Sequence, residues 1–498
     1  MKKQIFKLFI GLLIFSSCSD MLDTDPSNLL VRDEFWKSEA DVEASVIGVY
    51  NEMQSTVDEM IVWGDSRCGY LEYSDVSGSI LGFHRHHVTE RNSYTSWGDM
   101  YQTVNFANTI IKFAPDVMSV DDQYTQESLN NHLGECHYIR ALMHFYMIRT
   151  FLEIPYISEA YDNDTQDFYV DLTPRDSVFM FIEEDLLKAK SLINKTWDDA
   201  YNQKGRISQN AIEATLADVY LWMGEYDKAL NACDAVKGLG LETKENWYDM
   251  FAEGNNETES IFEIQFSQEF KDVMPTGIWN DIYGKTKLNQ EQKLLWPNFD
   301  ASVDIRVPGT FVRNGSKSTD PLMLWKFLGL VSGGDYGEDK KPYRETNWIV
   351  YRYADVLLMK AEALNNLSRG KDALVELNKI LERAGVSQLD IDDPQGQEMD
   401  ELILDERGRE FAFEGKRWFD LVRVALRYGD MEDRANKGNQ ILINRVVGIE
   451  GDDTSGDPIK FIDLYKLLDP LGWFLPINYG ELAANPQLRQ FPYYDRSF

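Results

Sequence analysis

Glu401-Leu402-Ile403-Leu404-Asp405-Glu406-Arg407-Gly408-Arg409-Glu410-Phe411-Ala412-Phe413-Glu414-Gly415-Lys416-Arg417-Trp418-Phe419-Asp420-Leu421-Val422-Arg423 is the stretch that decides the fold. Residues four apart are neighbours on a helix, so Glu406, Glu410 and Glu414 share one face. Gly415 marks a bend or an end. Arg407, Arg417 and Arg423 are candidate partners for acids, and bidentate Arg–carboxylate pairs would lock this segment to its neighbours. A solvated charged face is the weaker reading, because Phe411, Phe413, Trp418, Phe419 and Leu421 are interleaved with the charges.

Working back from this stretch, two helix pairs stand out. Ile349, Tyr353, Val356, Leu357 and Leu364 form one stripe, and after Gly370 come Ala373, Leu374, Leu377, Ile380 and Leu381. Earlier, Ala211, Ile212, Thr215, Leu216, Val219 and Tyr220 share a face, and after Gly224 come Tyr226, Ala229, Leu230 and Cys233. A short turn with Gly, then Ala-Leu on the second helix, resembles a tetratricopeptide unit. The two units are far apart in sequence, so helix hairpins packing a scaffold are expected rather than a contiguous solenoid. Residues 240–345 and 428–472 read as loop-rich, with a strand at 260–266, and residues 60–95 as a long irregular excursion.

The signature Glu406-Arg407, Glu410-Phe411, Glu414-Gly415, Arg417-Trp418, Asp420-Leu421, Arg423 closely resembles that of the SusD/RagB family of outer-membrane nutrient-binding lipoproteins. Leu475-Pro476-Ile477, Glu481, Asn485-Pro486, Leu488 and Gln490 resemble the family's closing run, with departures at Asn478 and Phe491. Phe35-Trp36, Gly48-Val49-Tyr50, Trp97, Tyr101 and Ala107-Asn108 resemble its early landmarks. The resemblance implies a mostly α, SusD-like single domain over residues 31–498. Its scaffold would be tetratricopeptide-like helix pairs (about 35–60, 97–240 and 346–425), with a large loop-rich portion (about 61–96, 240–345 and 428–472) and a few short strands. It also implies a non-catalytic protein that pairs with a SusC-type TonB-dependent transporter and captures an oligosaccharide, or in the RagB branch a peptide.

The N-terminus supplies an address. Met1 to Lys7 is basic, Leu8 to Phe15 is apolar, and Ser16-Ser17-Cys18 follows. This reads as a secretory signal over residues 1–17 whose cleavage leaves Cys18 as the acylated first residue. Residues 18–30 then form a flexible acidic tether. The apolar run is far short of the ~20 residues a membrane-spanning helix needs, so attachment is expected through lipid on Cys18, at the outer membrane and facing the cell exterior. The net charge is −33, which makes nucleic acid a poor partner.

Sugar rings stack on aromatic planes and their hydroxyls need polar side chains. Loop aromatics are therefore the binding candidates: Trp63, Asp65, Arg67, Tyr70 and Tyr73; Trp279, Asn280, Tyr283 and Trp296; and Trp325 with Tyr336. No cofactor or metal is expected. Asp162-Asn163-Asp164 with Asp167 lacks the Gly and terminal Glu of a calcium loop, and His84-Arg85-His86-His87 lacks a second ligand group. No nucleophile or phosphate-binding motif is present. Cys68, Cys136 and Cys233 match no zinc or redox spacing, and Cys136 and Cys233 read as buried small apolar residues in helical patterns.

Overall fold

The computed structural model describes residues 35–69, 78–163, 165–194, 196–251, 256–266, 304–310, 326–327, 346–429, 437–447 and 467–495, together with the backbone of short strands at 71–73, 286–288, 311–313 and 322–324. Signal, Cys18 and tether lie outside the described residues, as do Tyr70, Trp279, Asn280, Tyr283, Trp296, Trp325 and Tyr336.

The architecture is mostly helical. Helix α1 (Glu39–Ser55) starts at Ser38, whose hydroxyl accepts from the Asp41 amide while the Asp41 carboxylate accepts from the Ser38 amide, a reciprocal cap. Its stripe Val42, Val46, Val49 and Met53 is buried. Helix α2 (Val57–Asp65) follows after one residue. Helices α3 (Gly98–Val117), α4 (Gln126–Thr150) and α5 (Arg175–Leu192) pack in succession. A short helix α6 (Ala200–Gly205) leads into the first expected pair, α7 (Gln209–Met223) and α8 (Tyr226–Ala235). Gly224 turns the chain between them at φ +74°, where a side chain would be strained.

Among the described residues, three two-stranded antiparallel sheets accompany the helices. They join β1 (Leu71–Tyr73) to β3 (Thr286–Leu288), β2 (Ser260–Ile264) to β6 (Trp348–Arg352), and β4 (Phe311–Arg313) to β5 (Leu322–Leu324). The second pair of helices, α9 (Tyr353–Asn366) and α10 (Gly370–Arg383), packs against α8 and against α11 (Gly396–Glu410). Helices α12 (Arg417–Tyr428) and α13 (Lys437–Val447) follow.

Several expectations change. The stripe that opens the second pair does not begin at Ile349: Trp348–Arg352 is a fully buried strand, as suits a run of β-branched and aromatic residues. Helix α2 runs through Asp65, and Ser79–His84 is helical, so the early excursion is shorter than its composition implied. Helix α11 ends at Glu410, five residues before Gly415. Cys68, Cys136 and Cys233 are buried and form no disulfide with one another.

The opening signature builds an ionic core. Arg352 Nη1 donates to Glu259 at 2.6 Å and to Glu410 at 2.5 Å, and its Nε and Nη2 reach Glu414 at 2.9 Å each. Arg306 Nη1 donates to Glu406 at 2.6 Å and Glu410 at 3.0 Å. Arg383 joins Glu259 at 2.9 Å and also reaches Glu410. Lys326 Nζ donates to Glu414 at 2.6 Å and to the Ala412 carbonyl at 3.1 Å. All are buried. Burial works against the charged form of Glu410, yet Arg383, Arg352 and Arg306 hold it well below the usual carboxylate range. Burial lowers Lys326 to about 8, against the pull of Glu414. On the other side, Arg407 pairs with Asp355 and Asp420 at 2.9 Å each, and Arg423 with Glu362 at 2.8 Å. Arg417 donates to the Leu404 carbonyl at 2.5 Å and lies 3.9 Å from Asp405.

Candidate functional site

Strand β1 begins one residue beyond Tyr70, and its register sets Leu71 opposite Leu288, Glu72 opposite Lys287 and Tyr73 opposite Thr286. Strand β3 in turn lies beside β5, which ends next to Trp325. The backbone thus draws together β1, β3 and β5, three short strands that in sequence lie in or next to the predicted groups at 63–73, 279–296 and 325. The pairing spans more than two hundred residues of chain, and no local pattern signals it.

This loop face is rooted in the scaffold. Asp65, the last residue of α2, accepts a hydrogen bond from the Gly415 amide at 2.7 Å. That amide lies in the turn between α11 and α12, where Phe413 at φ +65° and Gly415 at φ +68° both occupy the left-handed region. Burial raises the Asp65 carboxyl to about 7, against this amide. Two residues on, the Arg67 guanidinium stacks 4.1 Å from the Trp418 ring centroid and 5.9 Å from that of Phe83. Burial lowers Arg67 to about 10. Its Nε and Nη2, together with Ser66 Oγ and Asp65 Oδ1, are buried without a hydrogen-bond partner among the described residues, so polar groups gather at the root of the excursion.

These contacts revise part of the sequence reading. Trp63 has no exposed surface, and its indole N–H donates to the Tyr94 carbonyl at 2.8 Å. Its ring meets Phe151 edge to face, with centroids 5.6 Å apart. Asp65 and Arg67 are 7% and 2% exposed. All three are packed into the helical platform. They are buried because α2 continues through a segment whose Gly and aromatic content looked like loop. Of the rest of the early group, Tyr73 lies in β1 and Tyr70 lies outside the described residues. Sequence reasoning also missed Glu259, Asp304, Arg306, Lys326, Arg352 and Arg383. The signal was there in charged residues set among large apolar ones, as in Trp325-Lys326-Phe327 and Val350-Tyr351-Arg352-Tyr353.

Comparison with known proteins agrees with this architecture. The model of the SusD family matches residues 313–494, and a model described as "Starch-binding associating with outer membrane" matches residues 20–221. Between them they take in both halves of the chain, which belongs to the SusD/RagB family. SusD-like protein P38 of Formosa agariphila is 24% identical, over 97% of each chain. Among solved structures, a SusD superfamily protein from Bacteroides vulgatus ATCC 8482 superposes with a TM-score of 0.73 at 20% identity, covering 92% of this chain and 99% of that one. A laminarin-binding SusD-like protein gives 0.69 at 21% identity, with the same coverage.

Proposed function

We propose that this chain is a cell-surface glycan-binding lipoprotein, which captures oligosaccharide and delivers it, without catalysis, to a SusC-type TonB-dependent transporter in the outer membrane. The observation that supports the reading is the convergence of β1, β3 and β5, strands that lie in or next to the sequence-predicted groups at 63–73, 279–296 and 325. A face of this kind suits a ligand that stacks on rings and hydrogen-bonds through hydroxyls. The starch- and laminarin-binding descriptions of matched proteins support the ligand class. In this reading the ligand contacts come from Tyr70, Tyr73, Trp279, Asn280, Tyr283, Trp296, Trp325 and Tyr336. Cys18 carries the lipid, and residues 18–30 form a tether long enough for the protein to swing over the transporter as a hinged lid.

Calorimetry against plant, host and microbial glycans tests this reading: saturable binding with no product released is expected. No binding across the panel, with peptides recovered by mass spectrometry from the purified protein, would overturn it in favour of peptide capture.

A further inference from the structure

A second concave surface opens on the opposite kind of structure, the helical scaffold. Helix α1, the segment from Trp197 through α6 to Arg206, and the end of β2 enclose a cleft of about 480 Å³, within the range of small-molecule sites. None of its lining residues belongs to the loop-side candidates. We infer that this cleft is a separate binding site for a neutral sugar ring, stacked on Trp197 and Tyr201.

Its exposed apolar surface is the first reason. Tyr201 is 53% exposed and Ile47 is 46% exposed, while their neighbours Met53 and Ile264 are buried. Large apolar side chains standing open at a concave surface mark a place where something binds. The aromatic wall is also held in place before any ligand arrives. Trp197 lies over Arg206, with Cζ 4.7 Å from the ring centroid. Arg206 is itself fixed by Glu135 at 2.6 and 2.8 Å and by Glu43 at 2.7 Å. A plane pinned in this way loses little entropy on stacking.

Charge then selects the ligand. His132 and Arg206 hold Glu43 far below the usual carboxylate range, and Arg206, the one cation among the lining residues, is already engaged by both Glu43 and Glu135. The cleft has no cation left over for a carboxylate or phosphate ligand. What remains beside the rings is amide: Asn51 at the rim, Asn202, and Gln54, whose Nε2 donates to the Gln265 carbonyl at 2.8 Å. Gln265 is braced in turn by Asn256 and Asn347. Apolar planes beside amides, with the one lining cation already engaged by carboxylates, fit a ring with C–H faces and hydroxyl edges.

The experiment uses the mature chain with maltoheptaose, laminarihexaose and cellohexaose, read by calorimetry and saturation-transfer NMR. Trp197→Ala and Tyr201→Ala should each weaken one class of site about three- to tenfold. Asn51→Trp, at an exposed helix position, should abolish that site by filling the cleft while circular dichroism stays unchanged. Full affinity and full stoichiometry in all three variants would overturn the cleft and leave loop-side capture standing. Failure of the unaltered chain to bind any neutral oligosaccharide would overturn both.

Discussion

Gly64 and Gly415 touch backbone to backbone: a Cβ placed on Gly64 would stand 1.9 Å from the Gly415 carbonyl oxygen. Helix α2 and the turn after α11, some 350 residues apart, meet where neither can carry a side chain. Gly64→Ala should therefore destabilise by about 1–3 kcal/mol or more through forced backbone displacement. Denaturant unfolding checks this; a midpoint equal to that of the unaltered chain would mean that the two segments separate freely.

Arg352 serves Glu259, Glu410 and Glu414 together, all buried. Arg352→Met should cost about 3–5 kcal/mol, because it strands carboxylates that have no access to water. Unfolding by denaturant should show the loss.

The acid limb of stability follows from the same pairs. Asp355 is held at about 2, where burial is outweighed by Lys416 and Arg407, and Glu362, Glu410 and Glu414 are also held low. Groups lowered in the folded state stabilise it above their unfolded values and lose that contribution as pH falls. Glu59 has the opposite sign. Burial raises it to about 8, and its Oε2 has no hydrogen-bond partner among the described residues. The folded state then binds the extra proton between about 4.5 and 8, so stability falls as pH rises through that window. Glu59→Gln should gain on the order of 1–2 kcal/mol at pH 8 and nothing at pH 4. Thermal unfolding at the two pH values separates the cases.

Trp63 and Trp279 should part company. Trp63→Ala removes a fully buried ring and should cost about 3–5 kcal/mol of stability. Trp279→Ala should weaken glycan binding with the melting temperature unchanged. Paired calorimetry and thermal scans decide between the two roles.

Cys18→Ala should leave the affinity of the purified protein intact while abolishing surface retention and uptake. Cell fractionation with a ligand-uptake assay reads both; uptake that survived would remove the tether from the mechanism.

Much of the scaffold was legible because helices carry their own grammar. The Ala211–Tyr220 and Ala373–Leu381 faces, the turn at Gly224 and the acid–arginine spacing of residues 406–423 all depend on neighbours within a few residues. The errors fell where distant partners decide. Trp348–Arg352 reads as the start of a helix until β2 pairs with it. Trp63 reads as a loop aromatic until Phe151 and Tyr94 enclose it. The meeting of β1 with β3 and the closing of the cleft around Trp197 likewise depend on contacts across the chain.

The ionic core also imposes an order of assembly. Arg306, Lys326, Arg352 and Arg383 all precede Glu406, Glu410 and Glu414 in the chain, and Glu259 and Asp304 are the only earlier acids paired with them among the described residues. A chain emerging N-terminus first holds four cations that cannot be buried until the last hundred residues arrive. The core is therefore sealed late, and a truncated product is left with an interior it cannot close.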